Sequence, residues 1–146
     1  MFTAHVLSDV HLEHFFNPDA AIKYIEYLRP TETADVLILA GDIVSLNKPE
    51  TFVYFDEFKK WAIEVIYVPG NHEFDFGKRV FLERMAEARF PLFASNMRTA
   101  DGQPVPGFQD RAIFNADGLR IGLTGATHDD TPRMASSEDM KFLPTV

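Results

Sequence analysis

Val68-Pro69-Gly70-Asn71-His72-Glu73-Phe74-Asp75-Phe76-Gly77 is the stretch on which the reading of this chain turns. An apolar run, residues 65–68, breaks at Pro-Gly into a cluster of Asn, His and Glu. An amphipathic segment over residues 78–89 follows, with Phe81, Leu82 and Met85 on one face. That order of apolar run, polar turn and helical spacing describes a strand feeding a crossover helix on a parallel sheet. The same order occurs twice upstream. Residues 2–7 form a strand that runs into Asp9-Val10-His11, and residues 35–40 form one that runs into Gly41-Asp42. Between them Asn17-Pro18 makes an N-cap with proline at the first helical position, Ile22, Ile25 and Leu28 follow at helical spacing, and Pro30 ends the helix. A further helix opens at Pro49, with Phe55, Phe58 and Ala62 on one face and Lys59 and Lys60 toward solvent.

Downstream the pattern changes. Residues 91–94 make a short strand and residues 102–107 a Pro/Gly loop. Arg111–Ala116 faces Leu119–Thr124 across Asp117-Gly118, a dipeptide suited to a two-residue hairpin turn. From Asp129 onward there is no periodicity, and neither repeats nor low-complexity segments occur.

The chain has 146 residues, 46% of them apolar, enough for one compact domain with a continuous core. Its 14 Lys and Arg against 22 Asp and Glu give a net charge of -8, with no basic run interleaved with aromatics, so duplex nucleic acid is not an expected partner. Acidity does not exclude a phosphate ester, because a bound dication reverses the sign of the local field. With no cysteine there are no disulfides, thiolate metal sites or Cys nucleophiles. The first eight residues lack a basic and a long apolar region, so a cytoplasmic location is expected, and no apolar run reaches the ~18 residues of a membrane span.

Three polar clusters therefore fall directly after three parallel strands, at the carboxyl edge where open α/β sheets bind ligands. In an extended chain Asp9 and His11 share a side, so a carboxylate oxygen and an imidazole nitrogen can reach one ion. Gly41 lets the backbone approach closely, the two oxygens of Asp42 can each bind a different ion, and Asn71 offers a neutral amide oxygen. Each cluster alone reads as turn or capping chemistry. Three ligand-type groups at three consecutive strand ends argue for a metal site.

Ser8-Asp9-Val10-His11-Leu12-Glu13, Leu39-Ala40-Gly41-Asp42 and Val68-Pro69-Gly70-Asn71-His72-Glu73 resemble, in order and separation, the leading motifs of the calcineurin-like metallophosphoesterase superfamily. The stretches 70–77, 90–96 and 118–125 further resemble its 5′-nucleotidase branch, whereas 8–13 and 35–42 read more like its smaller cytosolic phosphohydrolases. The resemblance implies the N-terminal portion of an α/β/β/α sandwich with ligands at the carboxyl edge of the strands. It implies two divalent ions (manganese, iron or zinc), with Asp9, His11 and Asp42 on the first and Asp42 and Asn71 beginning the second. It also implies that His72 is catalytic, with Asp75 orienting it, while a helix cap stays open as the alternative for Asp75. The implied chemistry is hydrolysis of phosphomonoesters or nucleotides by a metal-activated water.

Family members complete the site with downstream histidines, one in a Gly-His-x-His motif, which this chain lacks. After His72 the only histidine is His128, read as a solvent-exposed loop residue, and His5 and His14 fit no motif position. The expectation is thus a metallophosphoesterase domain over residues 1–146 that lacks some of its ligands. The alternatives are a non-catalytic binding module retaining half the metal site, with self-association, and an enzyme completed by another chain. An aspartyl-phosphate phosphatase would want a carboxylate where His11 stands, and the Lys-Ser or Lys-Thr of a P-loop is missing.

Overall fold

A computed structural model describes residues 1–48 and 51–145. The elements run β1 (Ala4–Leu7), α1 (Pro18–Leu28), β2 (Ala34–Ala40), α2 (Thr51–Phe58), β3 (Ala62–Val68), α3 (Gly77–Glu87), β4 (Leu92–Phe93), β5 (Met97–Arg98), β6 (Phe108–Gln109), β7 (Arg111–Ala116), β8 (Leu119–Thr124), α4 (Thr131–Met134) and β9 (Lys141–Phe142). The main sheet has the order β1-β2-β3-β4-β6, parallel throughout, with Val6 opposite Ile38 and Ile38 opposite Ile66. Successive strands step one way across the sheet. Right-handed crossovers in a constant direction put all their helices on one face.

Strand alternation sorts the core accordingly. Leu37, Leu39, Val65 and Tyr67 point to the helix face, packing with Ile25, Phe55, Phe58, Phe81 and Met85. Val36, Ile66, Val68 and Phe93 point to the other face, against Ala112, Phe114 and Leu123 of the β7–β8 hairpin. Helices, parallel sheet and a two-stranded second β layer are thus the layers expected of the sandwich.

α1 begins as its sequence dictates: Asn17 accepts the Ala20 N–H at 2.9 Å and Pro18 occupies the first turn. The hairpin turns on Asp117 (φ 49°) and Gly118 (φ 79°), two left-handed residues, as a right-twisted two-residue turn requires.

The differences from expectation are local. Ala62 does not share a helix face with Phe55 and Phe58. α2 ends at Phe58, a 3-10 turn over Lys59–Trp61 follows, and Ala62 opens β3, pairing with Ala34. Burial of Trp61, at 4% exposure against the ring of Phe58, drives that earlier exit. Pro49, expected to start this helix, lies outside the described residues. The aperiodic tail contains α4 and β9, and β9 pairs antiparallel with β5. Two-residue strands carry too little periodicity to be seen in sequence. No helix among the described residues is long and apolar enough to cross a membrane.

Candidate metal centre

The loops after β1, β2 and β3 are stitched together by their backbones. Asp9 N–H donates to the Gly41 carbonyl at 3.1 Å, His11 N–H to that of Asp42 at 3.0 Å, and Leu12 N–H to that of Ile43 at 2.9 Å. This ladder is incompatible with an extended Asp9-Val10-His11. Asp9 (φ 54°), His11 (φ 50°) and Asp42 (φ 53°) are all left-handed, so strand alternation does not describe the first cluster. Non-glycine residues pay for that conformation, and such strain concentrates at functional sites.

Two glycines allow the second and third loops to touch. A Cβ on Gly41 would sit 2.6 Å from the Gly70 nitrogen, and one on Gly70 only 2.3 Å from Asp42 Oδ1. Gly41 also has φ 83°, which glycine tolerates and alanine does not. Gly41→Ala should cost at least about 2 kcal/mol, from backbone strain plus overpacking, read as a lower urea midpoint at unchanged slope.

Two carboxylates outside the expected ligand set hold the loops in place. Glu73, 1% exposed, accepts the N–H groups of Gly70 (2.6 Å), Asp42 (3.1 Å) and Ile43 (3.1 Å). Burial raises its pKa, and the bonds from the Tyr67 side and from these N–H groups work against the shift. The Tyr67 hydroxyl is fully buried, and burial together with the Glu73 charge pushes its pKa well above the usual phenol value. Glu13 accepts the Ser45 N–H at 3.0 Å through one oxygen and meets His11 Nδ1 at 2.8 Å with the other. Sequence reasoning quoted both glutamates within motifs without giving them a role. The available signal for Glu73 was its position three residues after Gly70; Glu13 offered none beyond its place in the motif.

On this frame the donor atoms of His11, Asp42 and His72 lie within 4.8 Å of one another. One carboxylate and two imidazoles form a donor set that suits manganese, iron or zinc, so the residues present fit a divalent cation. Asp9 follows β1 as expected but its exposed side chain stands outside this group, and Asn71, 9% exposed, lies next to His72 at the end of β3. His128 is exposed, its Nδ1 accepting the Asp130 N–H at 3.2 Å, and it joins none of the metal-capable groups among the described residues. His5 lies in β1. Thr127, beside His128, is buried: it donates to the Pro69 carbonyl at 2.9 Å and exchanges bonds with the buried Asn96.

His72 is held at both ends. Its N–H donates to Asp42 Oδ1 at 2.9 Å, and its Nδ1 meets Asp75 Oδ2 at 2.9 Å. Asp75 does not cap α3, which starts after Phe76 without a side-chain cap. The Asp75 hydrogen bond raises the His72 pKa above its ordinary 6.5 and outweighs partial burial. In metal-free protein the His72 ring should therefore titrate above its usual value, and in Asp75→Asn at or below it, as followed by proton NMR. A raised histidine stabilises the fold fully below the unfolded value of about 6.5 and loses that contribution as pH rises through the folded value. The stability difference between wild type and Asp75→Asn should shrink in that alkaline direction.

A parallel α/β sheet whose strand ends gather His and Asp side chains on glycine-tightened loops presents a candidate divalent-cation site within a layered α/β fold. The calcineurin-like phosphoesterase family model matches residues 2–144, and the chain belongs to that family. It is 29% identical over 113 residues to a 5′-nucleotidase of Vibrio parahaemolyticus, covering 73% of this chain and 20% of that protein. It is 35% identical over 114 residues to Protein UshA of Yersinia enterocolitica, again 73% and 20%. The solved NAD nucleotidase of Haemophilus influenzae superposes with a TM-score of 0.70 at 18% identity, over 99% of this chain and 30% of that one. The chain thus spans about a fifth of the length of the curated relatives it matches.

Proposed function

We propose that residues 1–146 are a metallophosphoesterase domain that hydrolyses small phosphomonoesters or nucleotides with two divalent ions. The observation that carries this reading is the convergence of His11 and Asp42 donors at the carboxyl edge of the sheet, with the His72 ring within reach beside them. Asp9, His11 and Asp42 would hold one ion, and Asp42 and Asn71 would begin the second. Bound there, such ions supply positive charge to the phosphoryl oxygens and acidify the attacking water.

The chain's own groups do the rest. Asp75 fixes the His72 ring by accepting a hydrogen bond from Nδ1–H, which leaves Nε2 facing away from it. The Asp75 bond raises the ring's pKa and so favours its protonated form, from which Nε2–H can be donated to a phosphoryl oxygen or to the departing alkoxide. Asp42, tied through its Oδ1 to the His72 backbone, keeps ligand and imidazole in register. The nucleotide reading draws on the names of the relatives, two of which are nucleotidases.

The test is release of p-nitrophenol from its phosphate by this chain, with manganese and with EDTA. Manganese-dependent release would establish that these residues suffice. A folded chain with no release at saturating manganese would leave the binding-module reading. One observation favours completion by a second chain: Val6, 67% exposed, lies on the sheet face that the hairpin only partly covers. That version predicts specific activity that rises with protein concentration.

A further inference from the structure

We infer a second divalent-cation site, suited to zinc, made by His11, Glu13 and His14 on the outer side of the metal loop. His14 lies at no motif position, and nothing in the proposed phosphoesterase chemistry uses it. Its place follows from local geometry: Leu12–His14 is a single 3-10 turn, closed by the His14 N–H on the His11 carbonyl at 3.1 Å, which brings the two residues together. The rings of His11 and His14 accordingly stack, with centroids 5.5 Å apart and planes inclined by 28°. Glu13 lies between them. Its Oε1 is 2.8 Å from His11 Nδ1 and 3.9 Å from His14 Nε2.

Those distances bracket the spacing an ion needs. Tetrahedral zinc with bonds of about 2.1 Å holds its donors about 3.4 Å apart. The donor atoms of all three residues fall within 4.8 Å of one another, so closure needs only small side-chain rotations. Glu13 is pre-aimed: its side chain is 18% exposed and its second oxygen accepts the Ser45 N–H at 3.0 Å. His14, 77% exposed, leaves one side of the ion open to water. Two imidazoles and one carboxylate with an open position are a zinc-type donor set.

The site stands independently of the phosphoesterase reading, and one consequence rests on that reading. Both groups use His11, so a zinc ion on the outer side repels a cation on the Asp42 side and weakens its binding. Excess zinc then acts as an inhibitor of a manganese-loaded site.

The experiment titrates metal-free protein with zinc chloride by calorimetry, and follows histidine ring nitrogens by long-range 1H–15N NMR. Asp42→Asn removes the inner donor set and isolates the outer one. Asp42→Asn should still bind one zinc, with shifts at the His11 and His14 ring nitrogens, and adding His14→Gln should weaken that binding at least tenfold. Equal zinc affinity with and without His14→Gln overturns the site. Loss of all zinc binding in Asp42→Asn, with the protein folded by circular dichroism, overturns it too. Failure of the phosphoesterase reading would appear separately, as absence of manganese-dependent hydrolysis in a chain that still binds zinc at His14.

Discussion

Glu73→Ala should lower the stability of this domain by about 3 kcal/mol, because it strands three backbone N–H groups, each worth about 1 kcal/mol or more when left without an acceptor. For a chain of this size that corresponds to a fall of about 10 °C in Tm. The donors come from Gly70, Asp42 and Ile43, so the cost falls on the junction between the β2 and β3 loops rather than on the core. Glu73→Gln separates charge from hydrogen bonding. It keeps one acceptor oxygen for Ile43 or for the other pair, and turns an amide NH2 toward the remaining donors. Its loss should be smaller than that of alanine. The pH dependence gives an independent check. Burial raises the Glu73 pKa from 4.5, so the folded state holds its proton longer than the unfolded state does. Stability associated with this group therefore falls as pH rises from about 4.5 through the folded value. Urea midpoints for wild type should show that descent, and those for Glu73→Gln should lack it.

Asp42→Asn should reduce manganese affinity and any manganese-dependent hydrolysis by more than about 100-fold, since even outer partners of metal ligands are worth about 10–100-fold. The change is nearly isosteric. Its amide oxygen can still accept the His72 N–H, so the metal-free variant should melt close to wild type. A large loss of binding at unchanged Tm would assign Asp42 to the ion. A matching loss of Tm without metal would instead make Asp42 a structural residue that organises the β3 loop, and the metal reading would have to rest on Asp9, His11 and Asn71.

Much of this was visible before the structure. Continuous apolar runs within residues 35–40 and 65–68 marked the central strands because both faces of a parallel sheet are buried, and the Asn17-Pro18 cap marked the start of α1. Placing Asp9, His11, Asp42, Asn71 and His72 at one edge needed only the topology. What was hidden depends on long-range packing. The left-handed Asp9 and His11 arise from hydrogen bonds to the β2 loop, thirty residues away, and no local pattern announces them. Glu73 reads as a surface acid until the three N–H groups around it are seen. Ala62 fits a helix face by spacing, and only the inward turn of Trp61 moves it into β3. His14 looked idle because its partner, the stacked ring of His11, appears only once the turn has brought the two together.

The stitching of the loops also bears on the order in which the chain acquires structure during synthesis. Every backbone group that Glu73 holds, and every carbonyl that receives an N–H from Asp9, His11 or Leu12, belongs to a residue at or before position 73. At translation rates of about 5–20 residues per second, half of the chain is made while the other half waits for several seconds. The candidate site can therefore set its geometry around the emerging Glu73 before β4, β6 and the hairpin exist. Those later strands then add onto a sheet edge whose polar loops are already fixed.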